Sequence, residues 1–247
     1  MQATHFWNKF YLHRHKVGIT LLLIACALSG EAQRTRWVRK NNPNYDDKKL
    51  TYGFLIGLHT TAYQVKYSDA FVTQKFDTVH SVIPEWKKGF SLGFIVNYKL
   101  ADFFDVRLTP TVAFYEYTLR YVYTDNTPTD VQPIETTMVE FPILLKYKSE
   151  RRDNIRMYMI GGVKPGFEAS GKKAIENSSS SGVKIKGSNL SLEAGFGFDL
   201  YYPLFKFSPE IRFSRGIVNM LENNTNKYGE PLQRLNTNTI TLFLLFQ

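Results

Sequence analysis

Residues 89–100 read GFSLGFIVNYKL, and this stretch decides the fold. Apolar side chains occupy every second position from Phe90 to Tyr98, while the positions between them are mostly small or polar. Because successive side chains of a β-strand point to opposite faces, the alternation predicts a strand with one apolar and one polar face. An apolar face of this length suits a lipid-facing band about 25 Å tall.

The same alternation recurs along the rest of the chain. It predicts eight strands, at residues 50–61, 89–100, 104–121, 134–148, 155–167, 189–201, 205–214 and 238–247. The connections at 101–103, 149–154 and 202–204 are short, whereas those at 62–88, 122–133, 168–188 and 215–236 are long. Outer-membrane barrels have short periplasmic turns and long outer loops. The predicted fold is therefore all-β: an eight-stranded antiparallel up-and-down transmembrane β-barrel in the bacterial cell outer membrane.

The first residues have the pattern of a cleavable signal peptide. A basic cluster at 13–16 precedes an apolar run at 17–28, which is shorter than the roughly 20 residues of a membrane-spanning helix. Gly30 and Ala32 supply the two small residues of a cleavage site. The predicted organisation is a signal peptide at 1–32, a basic periplasmic lead-in at 33–49 and the barrel at 50–247.

Cys26 leaves a second interpretation of this region open. Residues 23–26 read LIAC, which has the form of a lipobox and would place a lipid on Cys26. Cys26 is also the only cysteine of the chain. Cleavage after Ala32 would therefore leave a mature protein without a disulfide, a thiol nucleophile or a cysteine ligand for a metal.

The net charge of +9 bears on the partners of the protein. A basic exported protein is expected to contact outer-membrane lipid, lipopolysaccharide or acidic partners rather than nucleic acid. A solvated loop surface with a surplus of positive charge explains the same number equally well.

The polar face of the predicted strands carries charged side chains that would point into the barrel. An isolated buried charge is costly, so these side chains are expected to pair with one another. The interior of an eight-stranded barrel is just wide enough for side chains, so the predicted network fills the lumen and leaves no pore. The predicted lumen charge network consists of Arg107, Glu140, Lys146, Arg156, Lys164, Glu193, Asp199, Glu210 and Arg212.

Residue types for catalysis occur together only near one loop. His59 ends the first predicted strand, and Ser68, Asp69 and His80 follow it. Such a set arises by chance in a loop, and a catalytic triad is defined by geometry rather than by spacing. We therefore interpret His59 as a residue of the barrel rim and predict no enzyme activity, no cofactor and no metal site. An outer-membrane lipid-modifying enzyme is the alternative.

A second group of residues is predicted to contact partner proteins. It combines the basic segment after the cleavage site with the charged turn between the fourth and fifth strands. A disordered lead-in is the alternative for the basic segment. The predicted contact residues are Arg34, Arg36, Trp37, Arg39, Lys40, Arg151 and Arg152.

Three stretches carry a family resemblance. Residues 139–147 read VEFPILLKY, residues 158–165 read YMIGGVKP, and residues 208–217 read SPEIRFSRGI. They resemble the strands of the PorT-like outer-membrane β-barrel family, and with the barrel pattern the resemblance covers residues 50–247. Glu140, Glu210 and Arg212 match positions of these motifs.

The resemblance implies a non-enzymatic function. It points to an accessory or assembly component of type IX protein secretion, which serves gliding or protease export, with other secretion-system proteins as partners. It carries over no catalytic residue. A generic small outer-membrane barrel, which anchors the membrane or binds a ligand through its long outer loops, remains the alternative.

Overall fold

The computed structural model describes residues 41–247 apart from 73–78, 125–127, 170–182, 184 and 223–227. The predicted signal peptide and residues 33–40 of the lead-in lie outside the described residues. The described part contains two short 3-10 helices, Pro43–Asp47 and Asp69–Val72. Its strands are β1 Leu50–Tyr67, β2 Val79–Glu85, β3 Lys87–Lys99, β4 Phe104–Leu108, β5 Thr111–Tyr123, β6 Asp130–Glu140, β7 Ile143–Lys148, β8 Ile155–Glu168, β9 Ser188–Tyr201, β10 Lys206–Gly216 and β11 Leu232–Phe246. None of the helices in these described ranges has the length and apolar character needed to cross a membrane.

The strands close into one antiparallel ring. β1 pairs with β3 on one side and with β11 on the other, which joins the first strand to the last. β11 pairs with β10, β10 with β9, and β9 with β8. The remaining pairings are β3 with β4 and β5, β2 with β5, β4 with β7, β5 with β6, and β8 with β6 and β7. The predicted barrel fold is confirmed.

Short interruptions turn the eight strand positions of the ring into eleven strands. Trp86 separates β2 from β3, Pro110 separates β4 from β5, and Pro142 separates β6 from β7. Pro110 and Pro142 have no N–H to donate to the ladder, and regular pairing is interrupted at these two positions. Their carbonyl oxygens still accept: Phe94 N donates to Pro110 O at 3.0 Å, and Thr109 N donates to Pro142 O at 3.1 Å. Each pair of collinear strands therefore fills one position of the ring.

The outer surface of the barrel is apolar. Along β3, Phe90, Leu92 and Phe94 are 46%, 49% and 71% exposed, while Ser91 and Asn97 are buried inside. The same division holds on the other strands, because side chains alternate between the two faces. In an isolated chain a surface of this kind requires lipid around it.

The strands extend further towards the long loops than the sequence predicted. β1 continues to Tyr67 instead of ending at residue 61, and β11 begins at Leu232 instead of 238. β2 forms inside the region predicted as the loop 62–88. Beyond the lipid-facing band the outward residues no longer need to be apolar, so the alternation fades although the backbone pairing continues.

Candidate functional site

The centre of the lumen holds a compact cluster of ion pairs. Arg107 on β4 and Arg212 on β10 both contact Glu210, and Arg107 Nη1 lies 2.7 Å from Glu210 Oε2. Tyr158 on β8 donates its hydroxyl to the same Oε2 at 2.6 Å. On the other side, Arg212 Nη1 lies 3.5 Å from Glu193 Oε2 on β9. All five residues are buried.

Asp199 organises a second group, nearer the short turns. Lys146 Nζ lies 2.7 Å from Asp199 Oδ2, and Ser208 donates its hydroxyl to Oδ1 at 2.7 Å. Lys206 Nζ lies 3.8 Å from Asp199 Oδ1. Lys146 also lies 3.7 Å above the Tyr158 ring, a cation–π contact that joins this group to the central cluster.

Two further pairs line the barrel wall. Lys164 Nζ lies 3.2 Å from Glu140 Oε1, which also accepts a hydrogen bond from the Tyr115 hydroxyl at 2.8 Å. Lys148 Nζ lies 2.5 Å from Asp105 Oδ1. Because these carboxylates and ammonium groups are buried, each pairing offsets part of the cost of removing its charges from water.

The structure places every side chain of the predicted lumen charge network inside the barrel. The predicted network lacked the inward Asp105, Lys148 and Lys206, although they occupy the same alternating positions. These three lie close to strand ends, where the alternation has few residues on one side to support it.

Two small cavities lie between the described side chains of the lumen. The interior cavity beside Tyr115, Glu140 and Lys164 has a volume of about 10 Å³. The cavity beside Asp105, Lys148 and Asp199 has a volume of about 20 Å³. Each has room for about one water molecule. The charges therefore act as a filling of the barrel rather than as the wall of a channel.

Aromatic side chains fill the half of the lumen nearer the long loops. Tyr63 and Tyr117 stack with ring centroids 4.1 Å apart, and Tyr121 donates its hydroxyl to the carbonyl oxygen of Tyr228 at 2.7 Å. Leu119 and Leu235 are fully buried among them. The predicted lumen network contained only charged residues, so this cluster was not part of it. The inward tyrosines alternate along residues 115–121 and were visible in the sequence.

The interpretation of His59 as a rim residue is wrong. His59 is 5% exposed, its ring packs at a tilt against Tyr115 with centroids 4.5 Å apart, and its Nε2 lies 3.2 Å from the carbonyl oxygen of Phe114. Gly89 leaves room for the ring, since a Cβ there would lie 2.3 Å from His59 Nε2. β1 continues beyond His59, which places the ring inside the barrel rather than at its edge.

The residues first considered for catalysis are not assembled into a site. The Ser68 hydroxyl donates to the carbonyl oxygen of Glu230 at 2.8 Å, while His59 bonds inside the lumen. His80 lies on β2 and is exposed. Over the described ranges no group of three or more His, Cys, Asp or Glu residues has a geometry that could hold a metal ion.

The segment 41–49 closes the short-turn end of the barrel. Asp46 Oδ1 lies 2.9 Å from Arg156 Nη1 and accepts a hydrogen bond from the Tyr201 hydroxyl at 3.0 Å. Tyr45 is buried with its ring edge against Tyr201, at 5.7 Å between centroids. Residues 41–49 therefore pack with the barrel, whereas the sequence analysis grouped them with the lead-in.

Arg151 belongs to this closure rather than to a free surface. Its guanidinium lies 3.6 Å above the Tyr201 ring and donates to the carbonyl oxygens of Asn41 and Asn42. Burial lowers the pKa of Arg151 from its ordinary value, and the nearby Tyr201 and Asp46 oppose that shift. Arg151 is thus not the partner contact that the sequence suggested, because its donors are used within the chain.

Arg152 is exposed at the same turn. Among the predicted contact residues it is the one that the described structure leaves accessible. Arg34, Arg36, Trp37, Arg39 and Lys40 lie outside the described residues.

Comparison with known proteins gives the following matches. The model of the outer membrane protein β-barrel domain family matches residues 32–222. The solved structure of the outer membrane protein OprG from Pseudomonas aeruginosa is similar, with 16% identity, a TM-score of 0.40, and coverage of 78% of this chain and 92% of that one. Neisserial surface protein A has 12% identity, a TM-score of 0.37 and coverage of 80% and 98%. Ail, the attachment invasion locus protein of Yersinia pestis, has 12% identity, a TM-score of 0.33 and coverage of 81% and 98%. No curated protein sequence matches the chain at a significant level.

Proposed function

We propose a function from the premise that this chain belongs to the outer membrane protein β-barrel domain family and lies in the bacterial outer membrane. The proposed function is that of a non-enzymatic accessory or assembly component of type IX protein secretion. Its partners would be other proteins of the secretion system, contacted from the membrane or from the periplasm.

The filled lumen is the observation that supports an accessory role rather than a transport role. Arg107, Glu210 and Arg212 are at most 1% exposed and close the middle of the barrel. An eight-stranded barrel of this kind cannot pass a folded protein. Any part in secretion must therefore act through contacts of the outer surface, the loops, the short turns or the lead-in.

The secretion system itself is proposed from the sequence. The motif at 208–217, SPEIRFSRGI, resembles PorT more closely than the broad family. In the barrel this motif supplies Glu210 and Arg212 of the central cluster. The motif thus has a structural explanation, and its link to secretion requires a genetic test.

Deletion of the gene tests the proposal. The expected result is that cargo proteins accumulate unprocessed in the periplasm, and that a plasmid copy of the full chain restores their release. Immunoblots of periplasmic and culture fractions measure this. A deletion strain that secretes cargo normally but loses adhesion or ligand binding at the cell surface would support the generic barrel that acts through its long loops.

A further inference from the structure

Three basic side chains lie together on the outward surface near the long loops. They are Lys66 on β1, Arg215 on β10 and Arg234 on β11. They line an open groove of about 370 Å³, which we call the basic groove. The other lining residues are Gln64, Val65, Gly216, Ile217 and Asn236, so the groove carries no carboxylate.

The positive charges of the basic groove are not neutralised within the described part of the chain. Lys66 lies directly opposite Arg234 in the β1–β11 ladder, and like charges at such a position are destabilising. Arg215 Nη2 donates to Gln64 Oε1 at 3.0 Å, and Arg234 Nη2 donates to the carbonyl oxygen of Ile217 at 2.7 Å. Both acceptors are uncharged, so these bonds orient the guanidinium groups but do not neutralise their positive charge.

The neighbouring strands β2 and β5 differ in this respect. Arg120 on β5 pairs with Glu85 of β2, and Lys87 Nζ lies 3.7 Å from both Glu85 and Glu116. Arg120 and Lys87 are therefore matched by carboxylates, whereas the described cations of the basic groove are not.

The basic groove lies immediately beyond the lipid-facing band. Along β10 the outward Phe213, which is 49% exposed, is followed two residues later by Arg215. Two residues of a strand span about 7 Å. Along β11 the outward Ile240 is the last exposed apolar residue before Asn238, Asn236 and Arg234. Arg215 thus stands at the height of lipid headgroups, and Lys66 and Arg234 line the same groove.

We propose that the basic groove binds a phosphate group of lipid A, the anchor of lipopolysaccharide. Long loops of outer-membrane barrels face outward, so this end contacts the outer leaflet, in which lipopolysaccharide is the anionic lipid. Arg215 and Arg234 supply planar guanidinium forks that match a phosphate, and Lys66 adds a third charge. Phosphate binding relieves the Lys66–Arg234 repulsion, while Phe213 and Ile240 contact acyl chains below. This inference rests on the membrane location and not on the secretion role.

The test uses the purified full chain in detergent, with folding checked by heat-modifiable migration on gels. Native mass spectrometry measures binding of lipid A, of lipid A without its phosphates, of phosphatidylglycerol and of inorganic phosphate. The triple variant Lys66→Gln, Arg215→Gln, Arg234→Gln is expected to bind lipid A at least about tenfold more weakly. The control variant Arg120→Gln, which removes a paired cation at the same end, is expected to bind like the wild type.

A single exposed substitution keeps the proposal testable if the triple variant folds poorly. Lys66→Gln removes the like-charge pair, so it is expected to raise the unfolding temperature without lipid A and to reduce the rise that lipid A causes. Equal weakening by Arg120→Gln would overturn the proposal. So would equal affinity for lipid A without its phosphates, for phosphatidylglycerol or for inorganic phosphate.

Discussion

At the scale of single residues, the lumen depends on carboxylates that serve several donors at once. Glu210 accepts hydrogen bonds from Arg107, Tyr158 and Arg212. Asp199 similarly contacts two lysines and a serine. With each carboxylate shared in this way, removal of one leaves two cations without their nearest counter-charge in a space closed to water.

Glu210→Ala is therefore expected to destabilise the barrel. Loss of one partner from a buried ion pair costs about 3–5 kcal/mol, and here two guanidinium groups are affected. The temperature at which the folded gel band converts to the unfolded one should fall, and the amount of protein in the outer membrane should drop. Glu150→Ala, at an exposed position of a short turn, is the matched control. Normal heat stability of Glu210→Ala together with loss of secretion would instead assign Glu210 a direct functional role.

Gly197 tests how tightly the central cluster is packed. A Cβ at Gly197 would lie 2.6 Å from the Tyr158 hydroxyl and 2.8 Å from the carbonyl oxygen of Pro209. Because the carbonyl oxygen of Pro209 belongs to the backbone, it can move away only if strand β10 shifts. Gly197→Ala is expected to lower the free energy of unfolding by about 1–3 kcal/mol in the same heat-stability assay.

The inward Gly166 provides a control for this substitution. A Cβ at Gly166 would lie 3.4 Å from side-chain atoms of Glu140 and Met138, which is an ordinary van der Waals contact. Gly166→Ala should leave heat stability unchanged. If both alanine variants unfold at the same temperature, the close packing inferred at Gly197 is wrong.

At the scale of strands and segments, the alternation of apolar and polar residues predicts the lipid-facing strands but not the structure beyond the lipid. All eight predicted strand positions are present because lipid demands apolar residues on one face, as residues 89–100 illustrate. The outer extension of β1 to Tyr67 and the formation of β2 could not be predicted in this way. There neither face is constrained by lipid, and the pairing depends on contacts between strands distant in sequence.

The closure by residues 41–49 was also beyond the sequence pattern. The short 3-10 helix at Pro43–Asp47 has no repeating pattern of apolar residues that could predict it. It contacts Arg156 and Tyr201, which lie more than 100 residues away in the sequence. Arg151 was assigned to a partner for the same reason. The sequence shows that the turn around Arg151 is charged, but it does not show that residues 41–49 cover this side chain.

Asp46→Asn is expected to release this segment from the barrel. The substitution removes the charge that Arg156 and Arg151 share while keeping the size of the side chain. Limited proteolysis with trypsin should cut at the exposed Lys48 and Lys49 about tenfold faster, since the ion pairs are buried. Asp47→Asn, at the exposed neighbouring position, should digest like the wild type. Equal digestion of both variants would mean that Asp46 does not hold the segment.

At the scale of the whole molecule, the barrel divides into surfaces with different partners. The apolar outer face contacts lipid. Charged side chains fill the centre of the lumen and its half nearer the short turns, and tyrosines fill the half nearer the long loops. Residues 41–49 close the short-turn end. This leaves the loops, the exposed turns and the lead-in for other proteins. Asn41 is held at that end by hydrogen bonds to Asn154 and Tyr201.

The final prediction concerns the lead-in, and it follows from the proposed function. If secretion proteins bind the basic segment, replacing Arg34, Arg36, Arg39 and Lys40 with Ala should weaken cargo release without affecting barrel insertion. Cargo in culture fractions measures the first effect, and heat-modifiable migration measures the second. A variant with lysine at the three arginine positions keeps the charge and should secrete more than the alanine variant. Wild-type secretion by the alanine variant would move the search for the contact to Arg152 and the long loops, which face opposite sides of the membrane.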